Sequence, residues 1–160
     1  MRCNREGGKN MDFEDMYDEP KAIRVVTKLP DEEAKETMME NGYGTISEFC
    51  KGLIDIAPLP TDNSVTIICN DEFLVNGMKP NIVTPETEGV ICGPIIICGY
   101  DPESGDSISL TDKQVKETLE YCERNNLHGM SLEGAFRYSK VIGPLQRSYD
   151  ALTNKQMEAF

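Results

Sequence analysis

At 160 residues the chain has room for one domain and an appendage. Its 28 acidic side chains against 16 basic ones set a formal net charge of −12 with no basic run, which excludes the phosphate-neutralising stripe that a general nucleic-acid binder needs. No segment approaches the ~20 apolar residues of a membrane helix, and MRCNREGGKN lacks the apolar core of a secretory signal, so a cytoplasmic protein with no membrane contact is expected.

Residues 1–20 read as a flexible acidic leader. Its run Asp12-Phe13-Glu14-Asp15-Met16-Tyr17-Asp18-Glu19 is the kind of charge block that stays solvated. The same run can also be a short linear motif, because Phe13, Met16 and Tyr17 sit at helical spacing and suit a partner groove. On that reading Asp12, Phe13, Glu14, Asp15, Tyr17, Asp18 and Glu19 are partner-binding candidates.

Ala22 to Thr27 (AIRVVT) alternates and is β-branched, which predicts a first strand. Leu29-Pro30-Asp31 then opens an acidic stretch expected to be helical to about Met39, and Asn41-Gly42-Tyr43-Gly44 breaks it. Thr45 and Glu48 have capping-box spacing at the head of a short helix with Ile46, Phe49, Cys50 and Leu53 on its apolar face. Leu53–Leu59 and Ser64–Cys69 are predicted as strands of a hairpin turning at Thr61-Asp62-Asn63. Pro58 and Pro60 suit only an edge strand or a strand end.

Phe73-Leu74-Val75 is expected to be a short further strand, and Gly77–Glu88, with Pro80 and Pro85, a long irregular connection. Long connections often carry function. Lys79 is the only basic group there, so Lys79 and Asn81 are the ligand-binding candidates. Ile91–Gly99 reads as the central apolar strand, interrupted at Gly93-Pro94.

The next helix has four consistent start signals. Thr111 caps it, Asp112 suits the dipole, Gln114 completes a capping box and Leu110 can staple onto Val115. Val115, Leu119 and Cys122 form its apolar stripe and Asn125-Asn126 ends it. Residues 127–160 read as a mildly basic helical extension, capped by Ser131 and broken at Gly143-Pro144, with a second piece holding Tyr149, Leu152, Met157 and Phe160. The extension either packs on the same core or docks a partner, for which Phe136, Arg137 and Tyr149 are the candidates.

Chemistry is sparse. Four of the six cysteines lie in apolar or amphipathic runs, no Cys-x-x-Cys occurs and His128 is the only histidine, so neither a disulfide framework nor a metal site is expected. Asp101, Glu103 and Asp106 have some Ca²⁺-loop character but lack the ligand order, and a plain turn is expected. No Gly-x-Gly-x-x-Gly follows a strand, no Walker-type Gly-Lys-Ser/Thr exists, and no nucleophile–base pair is recognisable. No cofactor and no catalytic residue are expected.

The order of AIRVV, TISEFCKGLIDIAPL, VTIICNDEFLVNGMKPN, VICGPIIICGYD and Ser-Leu-Thr-Asp before the closing helix resembles a bacterial domain family of unknown function, found widely in phage, plasmid and conjugative-element proteins. Members typically carry Ile-Glu after the first helix; here the pair is Ile54-Asp55. The resemblance spans about residues 21–126. With the patterning it implies an α+β domain, a small, mostly antiparallel sheet covered by helices, followed by a helical C-terminal extension. It also implies a non-enzymatic accessory protein that binds and modulates a host protein. An anti-defence inhibitor of antirestriction or DNA-mimic type is one form of this. A mimic would array the leader acids and Asp112, Glu117, Glu120 and Glu123 on one face at phosphate spacing. The alternative is a nucleotide- or metabolite-binding protein using the 77–88 loop. The oligomeric state stays open.

Overall fold

The structure, a computed structural model, describes residues 21–158. The candidates between Asp12 and Glu19 lie outside the described residues. In chain order the elements are β1 (Ala22–Lys28), β2 (Lys35–Glu40), α1 (Tyr43–Cys50), β3 (Ile54–Leu59) and β4 (Asp62–Asn70). Next come β5 (Pro80–Thr84), a 3-10 turn (Pro85–Thr87), β6 (Gly89–Cys92), β7 (Ile95–Tyr100) and β8 (Ser107–Ile108). The helices α2 (Asp112–Arg124) and α3 (Leu132–Glu158) close the chain.

The main sheet has the order β2-β1-β7-β4-β3, with β8 beside the end of β7, and every pairing is antiparallel. β5 and β6 form a separate two-stranded sheet. The fold is α+β. Strand β7 shows why its run is apolar without alternation. Ile95 and Ile97 face the cluster holding Val26, Ile67, Leu110 and Val115, while Ile96 and Cys98 face the one holding Val25, Ile46, Cys50 and Ile68. A strand covered on both faces needs apolar side chains at both parities. α1 covers one face; α2 and part of the small sheet cover the other. A third cluster lies between the small sheet and α3, with Val83, Val90, Cys92, Leu127 and Ala135.

Several expectations hold. β1 forms, and β3 and β4 make the hairpin, with the proline-bearing β3 at the sheet edge. The Thr111 side chain accepts from the Gln114 N–H at 3.1 Å, and the Gln114 side chain accepts from the Thr111 N–H at 2.9 Å, completing the capping box.

Other expectations are corrected. The acidic stretch read as a helix to Met39 is instead the turn at Asp31 and the edge strand β2. Asp31 adopts φ +66°, which reverses the chain, and Thr37 and Met39 turn inward with the period of two that a strand requires. The spacing of Thr45 and Glu48 does not cap α1, which starts after Gly42 with no side-chain cap; the Thr45 hydroxyl donates to Glu40 instead, at 2.8 Å. Leu53, expected in the core, is exposed because Lys51 at φ +66° has already ended the helix and β3 starts beyond it.

Residues 73–75 lie in a turn and form no strand. The expected irregular connection contains β5, whose five residues are all buried. The run 91–99 is two strands in two sheets, parted where Gly93 takes φ +82°.

α3 runs unbroken through Gly143 and Pro144. Proline removes one helical donor, but tertiary contacts hold both sides of it. Gly143 presses on the 85–88 turn so closely that a Cβ there would meet Glu88 Cγ and lie 2.9 Å from the Pro85 carbonyl oxygen. One turn later Arg147 Nη2 donates to Glu88 Oε2 at 2.7 Å.

Candidate functional site

The two ligand-binding candidates separate in the structure. Lys79 is exposed and lines two adjoining clefts of about 500 and 450 Å³ that share Asp31, Gly77 and Met78. Its ammonium lies 3.8 Å from Asp31, and His128 Nδ1 lies 3.6 Å from the same carboxylate. The Gly129 N–H donates to Asp31 at 2.9 Å, and this bond, ahead of the neighbouring cations, holds the Asp31 carboxyl below the usual carboxylate range. The cations and the amide just before α3 thus already answer to an anion supplied by the chain. The cluster ties the β1–β2 turn to the α2–α3 link.

Asn81 is fully buried. Its amide donates to the Lys28 carbonyl at 2.8 Å and to the Gly93 carbonyl at 2.7 Å, and its oxygen accepts from Lys28 Nζ at 2.7 Å. Every polar atom of the carboxamide is used. Lys28 is itself buried, and desolvation pushes its amine below the ordinary lysine range. Lys28 and Asn81 form a polar knot between the main and small sheets in which the Asn81 carboxamide is used up, while Lys28 also lines a cleft of about 280 Å³ with Glu33, Leu119, Cys122 and Glu123.

The acidic candidates of α2 are mixed with bases. Asp112 accepts from Arg24 at 2.7 Å, Glu117 pairs with Lys113 at 3.8 Å, and Lys116 lies on the same helix. The 101–106 loop folds its acid inward: Asp101 accepts from the Glu103 N–H and the Ser104 hydroxyl, each at 3.0 Å. Among the described residues no group of three His, Cys, Asp or Glu side chains could hold a metal ion. The five described cysteines are free and buried. No helix of the described residues is long and apolar enough to cross a membrane.

The remaining candidates lie on α3. Phe136 is half-buried against the third cluster, and Arg137 pairs with Glu133 on the surface. Tyr149 points outward. With it stand four residues that sequence patterning had not set together as a site: Tyr138, Val141, Leu145 and Leu152. The five are between 38 % and 66 % exposed. At 3.6 residues per turn their spacings of three and four keep them within an arc of roughly 80°.

The opposite side of α3, with Ala135, Ser139 and Gly143, packs on the small sheet and the 85–88 turn. The outward stripe presents on the order of 400–500 Å² of apolar surface, the size at which a patch on a monomer is often functional. Arg137, paired with Glu133, lies at one edge of it. Residues 132–158 hold four of the basic and three of the acidic side chains, so α3 is net +1 on a chain of −12. Near its middle, Tyr149 and Gln146 also line a cleft of about 700 Å³ with Pro60, Thr61 and Arg124.

The model of a family described as Domain of unknown function (DUF3846) matches residues 23–124, which span β1 to the end of α2 and leave α3 outside. No curated protein and no solved structure matches the chain. With well over half its length matched, the chain belongs to the family of the Domain of unknown function (DUF3846).

Proposed function

We propose that this protein is a non-enzymatic accessory protein that docks a partner protein along the outward face of α3. One observation carries the reading: Tyr138, Val141, Leu145, Tyr149 and Leu152 form an apolar stripe that the described residues leave largely exposed. A soluble helix normally turns such a stripe to a core, and α3 already has a second, buried face that serves that purpose.

The stripe selects its partner by shape and charge. An amphipathic helical segment would lay apolar residues at i, i+3 and i+4 along it. The net +1 of α3 favours acidic residues in that segment, in contrast to the net −13 carried by the rest of the chain. On this reading the protein belongs to a phage or mobile element and its partner is a protein of the host cell, and an anti-defence inhibitor would act through such a contact. The closed Asp31–Lys79–His128 cluster and the fully used Asn81 weigh against the small-ligand alternative.

The test places a photo-crosslinking amino acid at Tyr149 of the full chain and compares it with the same protein carrying Leu145→Ser and Leu152→Ser. The reading expects one host protein crosslinked through an acid-flanked amphipathic segment, and loss of that adduct in the double variant. An adduct unchanged by the double substitution, or no protein adduct at all, contradicts it.

A further inference from the structure

The cleft beside Lys28 has two chemically opposite ends. Its buried end is made by Lys28 and Cys122, exposed by 2 % and 0 %. Its exposed end carries Glu33, from the β1–β2 connection, and Glu123, from the last turn of α2. Leu119 and Ala34 add apolar surface.

Lys28 is incompletely satisfied. A lysine ammonium has three N–H donors and no acceptor. Asn81 Oδ1 takes one of them at 2.7 Å. The Asn81 carbonyl, at 3.5 Å, is at the limit of a hydrogen bond and already accepts from the Leu127 N–H at 3.0 Å. Among the described residues Lys28, Glu33 and Glu123 form no ion pair. Lysine is almost never fully buried unless paired, because a charge withdrawn from water without partners is costly. Here the unmet donor borders a cleft, and two unpaired carboxylates stand at the other end of the same cleft.

We propose that this cleft binds a small amino acid, with the ligand carboxylate accepting from Lys28 Nζ and the ligand ammonium meeting Glu33 and Glu123. Charge sets the class. A simple anion would satisfy Lys28 but face two carboxylates, and a simple cation would satisfy the carboxylates but face the lysine. A zwitterion with its anionic end inward meets both. Size sets the limit, since about 280 Å³ lies just below the range of about 300–1,000 Å³ usual for ligand pockets. The apolar surface of Leu119 and Ala34 suits a short aliphatic side chain. No lining residue belongs to the 77–88 loop or to α3, so the inference stands whether or not α3 docks a partner.

The experiment titrates the isotope-labelled full chain with L-alanine, L-valine or L-leucine to about 10 mM, well above a Kd of about 1 mM, and follows the amide signals by NMR. Each amino acid is compared with the acid lacking its amino group and the amine lacking its carboxylate. The expected result is saturable shifts centred on residues 28–34 and 119–126 with at least one amino acid, and binding about tenfold or more weaker for both of its counterparts. Lys28→Met should abolish those shifts. Because Lys28 is buried and that variant can fail to fold, Glu33→Gln/Glu123→Gln, which changes only exposed side chains, supplies the second arm and should weaken binding several-fold. No saturable shift with any of the three amino acids would overturn the proposal. So would a counterpart acid that binds as tightly as the amino acid, or an affinity unchanged in the Glu33→Gln/Glu123→Gln variant.

Discussion

Strand β7 and helix α3 treat their apolar side chains in opposite ways. In β7, Ile95, Ile96, Ile97 and Cys98 are all buried, two toward each face of the sheet. In α3, Ala135, Ser139 and Gly143 are buried while Val141, Leu145, Tyr149 and Leu152 are among the most exposed large apolar side chains described. The strand has covering elements on both sides; the helix has one. Apolar residues in β7 are explained by the fold, whereas those on the outside of α3 exceed what the fold uses. That surplus is where a binding role is to be sought, and it lies outside the span shared with the family.

The comparison breaks most visibly at the centre of the sheet. Ile97→Asp buries an unpaired charge in the largest cluster and should cost ~3–5 kcal/mol, enough to unfold a marginal domain. Circular dichroism should show loss of the cooperative melt, and a folded variant would refute the two-faced burial of β7. Asn81→Ala should come next. It leaves the Lys28 ammonium without its 2.7 Å acceptor and the Gly93 carbonyl without a donor, a loss of about 3 kcal/mol measurable by denaturant titration.

Gly143→Ala should be smaller. The added methyl meets the Pro85 carbonyl at 2.9 Å, so α3 must lift from the 85–88 turn, at about 1–2 kcal/mol. Its denaturation midpoint should fall while the α2 and β7 signals in an NMR spectrum stay in place.

Alkaline pH should loosen the buried side of the comparison without a mutation. Burial pushes the Cys50 thiol up to about 12 and those of Cys69, Cys92 and Cys122 to about 11, from an ordinary value near 9. Raised values mean that the folded chain holds its protons longer than the unfolded one. The contribution is complete below about pH 9 and declines as pH rises through 11 to 12. Melting temperature measured from pH 8 upward should fall over that window, and less steeply in a Cys69→Ala background compared with its own value at pH 8.

Much of the body was legible because its signals are local. AIRVVT, the SVTIIC strand of the hairpin and the Thr111–Gln114 capping box each carry their structure within a few residues. What was not legible depends on partners far along the chain. β2 is a strand because residues 35–40 pair with β1, against an acidic composition that reads as helix. β5 is buried between sheet and helix although Pro80 and Pro85 mark it as loop.

The stripe of α3 was hidden by Gly143-Pro144. Read as a break, that pair separates Tyr138 and Val141 from Tyr149 and Leu152. The 85–88 turn needs a glycine at 143 and helps hold the helix across it, which puts all five residues on one face. Asn81 was misplaced for the opposite reason: a polar residue in an apparent loop suggests a ligand, but its partner is a lysine 53 residues away.

The most direct test of the account is the stability of a Leu145→Ser/Tyr149→Ser variant beside the wild type, by chemical denaturation in one buffer. If the outward face of α3 is surplus to the fold, the two free energies agree within about 1 kcal/mol, as for surface substitutions remote from packing. A loss of about 3 kcal/mol or more, the scale of truncating large apolar side chains in a core, would show that the stripe is already buried within the folded chain and would contradict its role as a docking face.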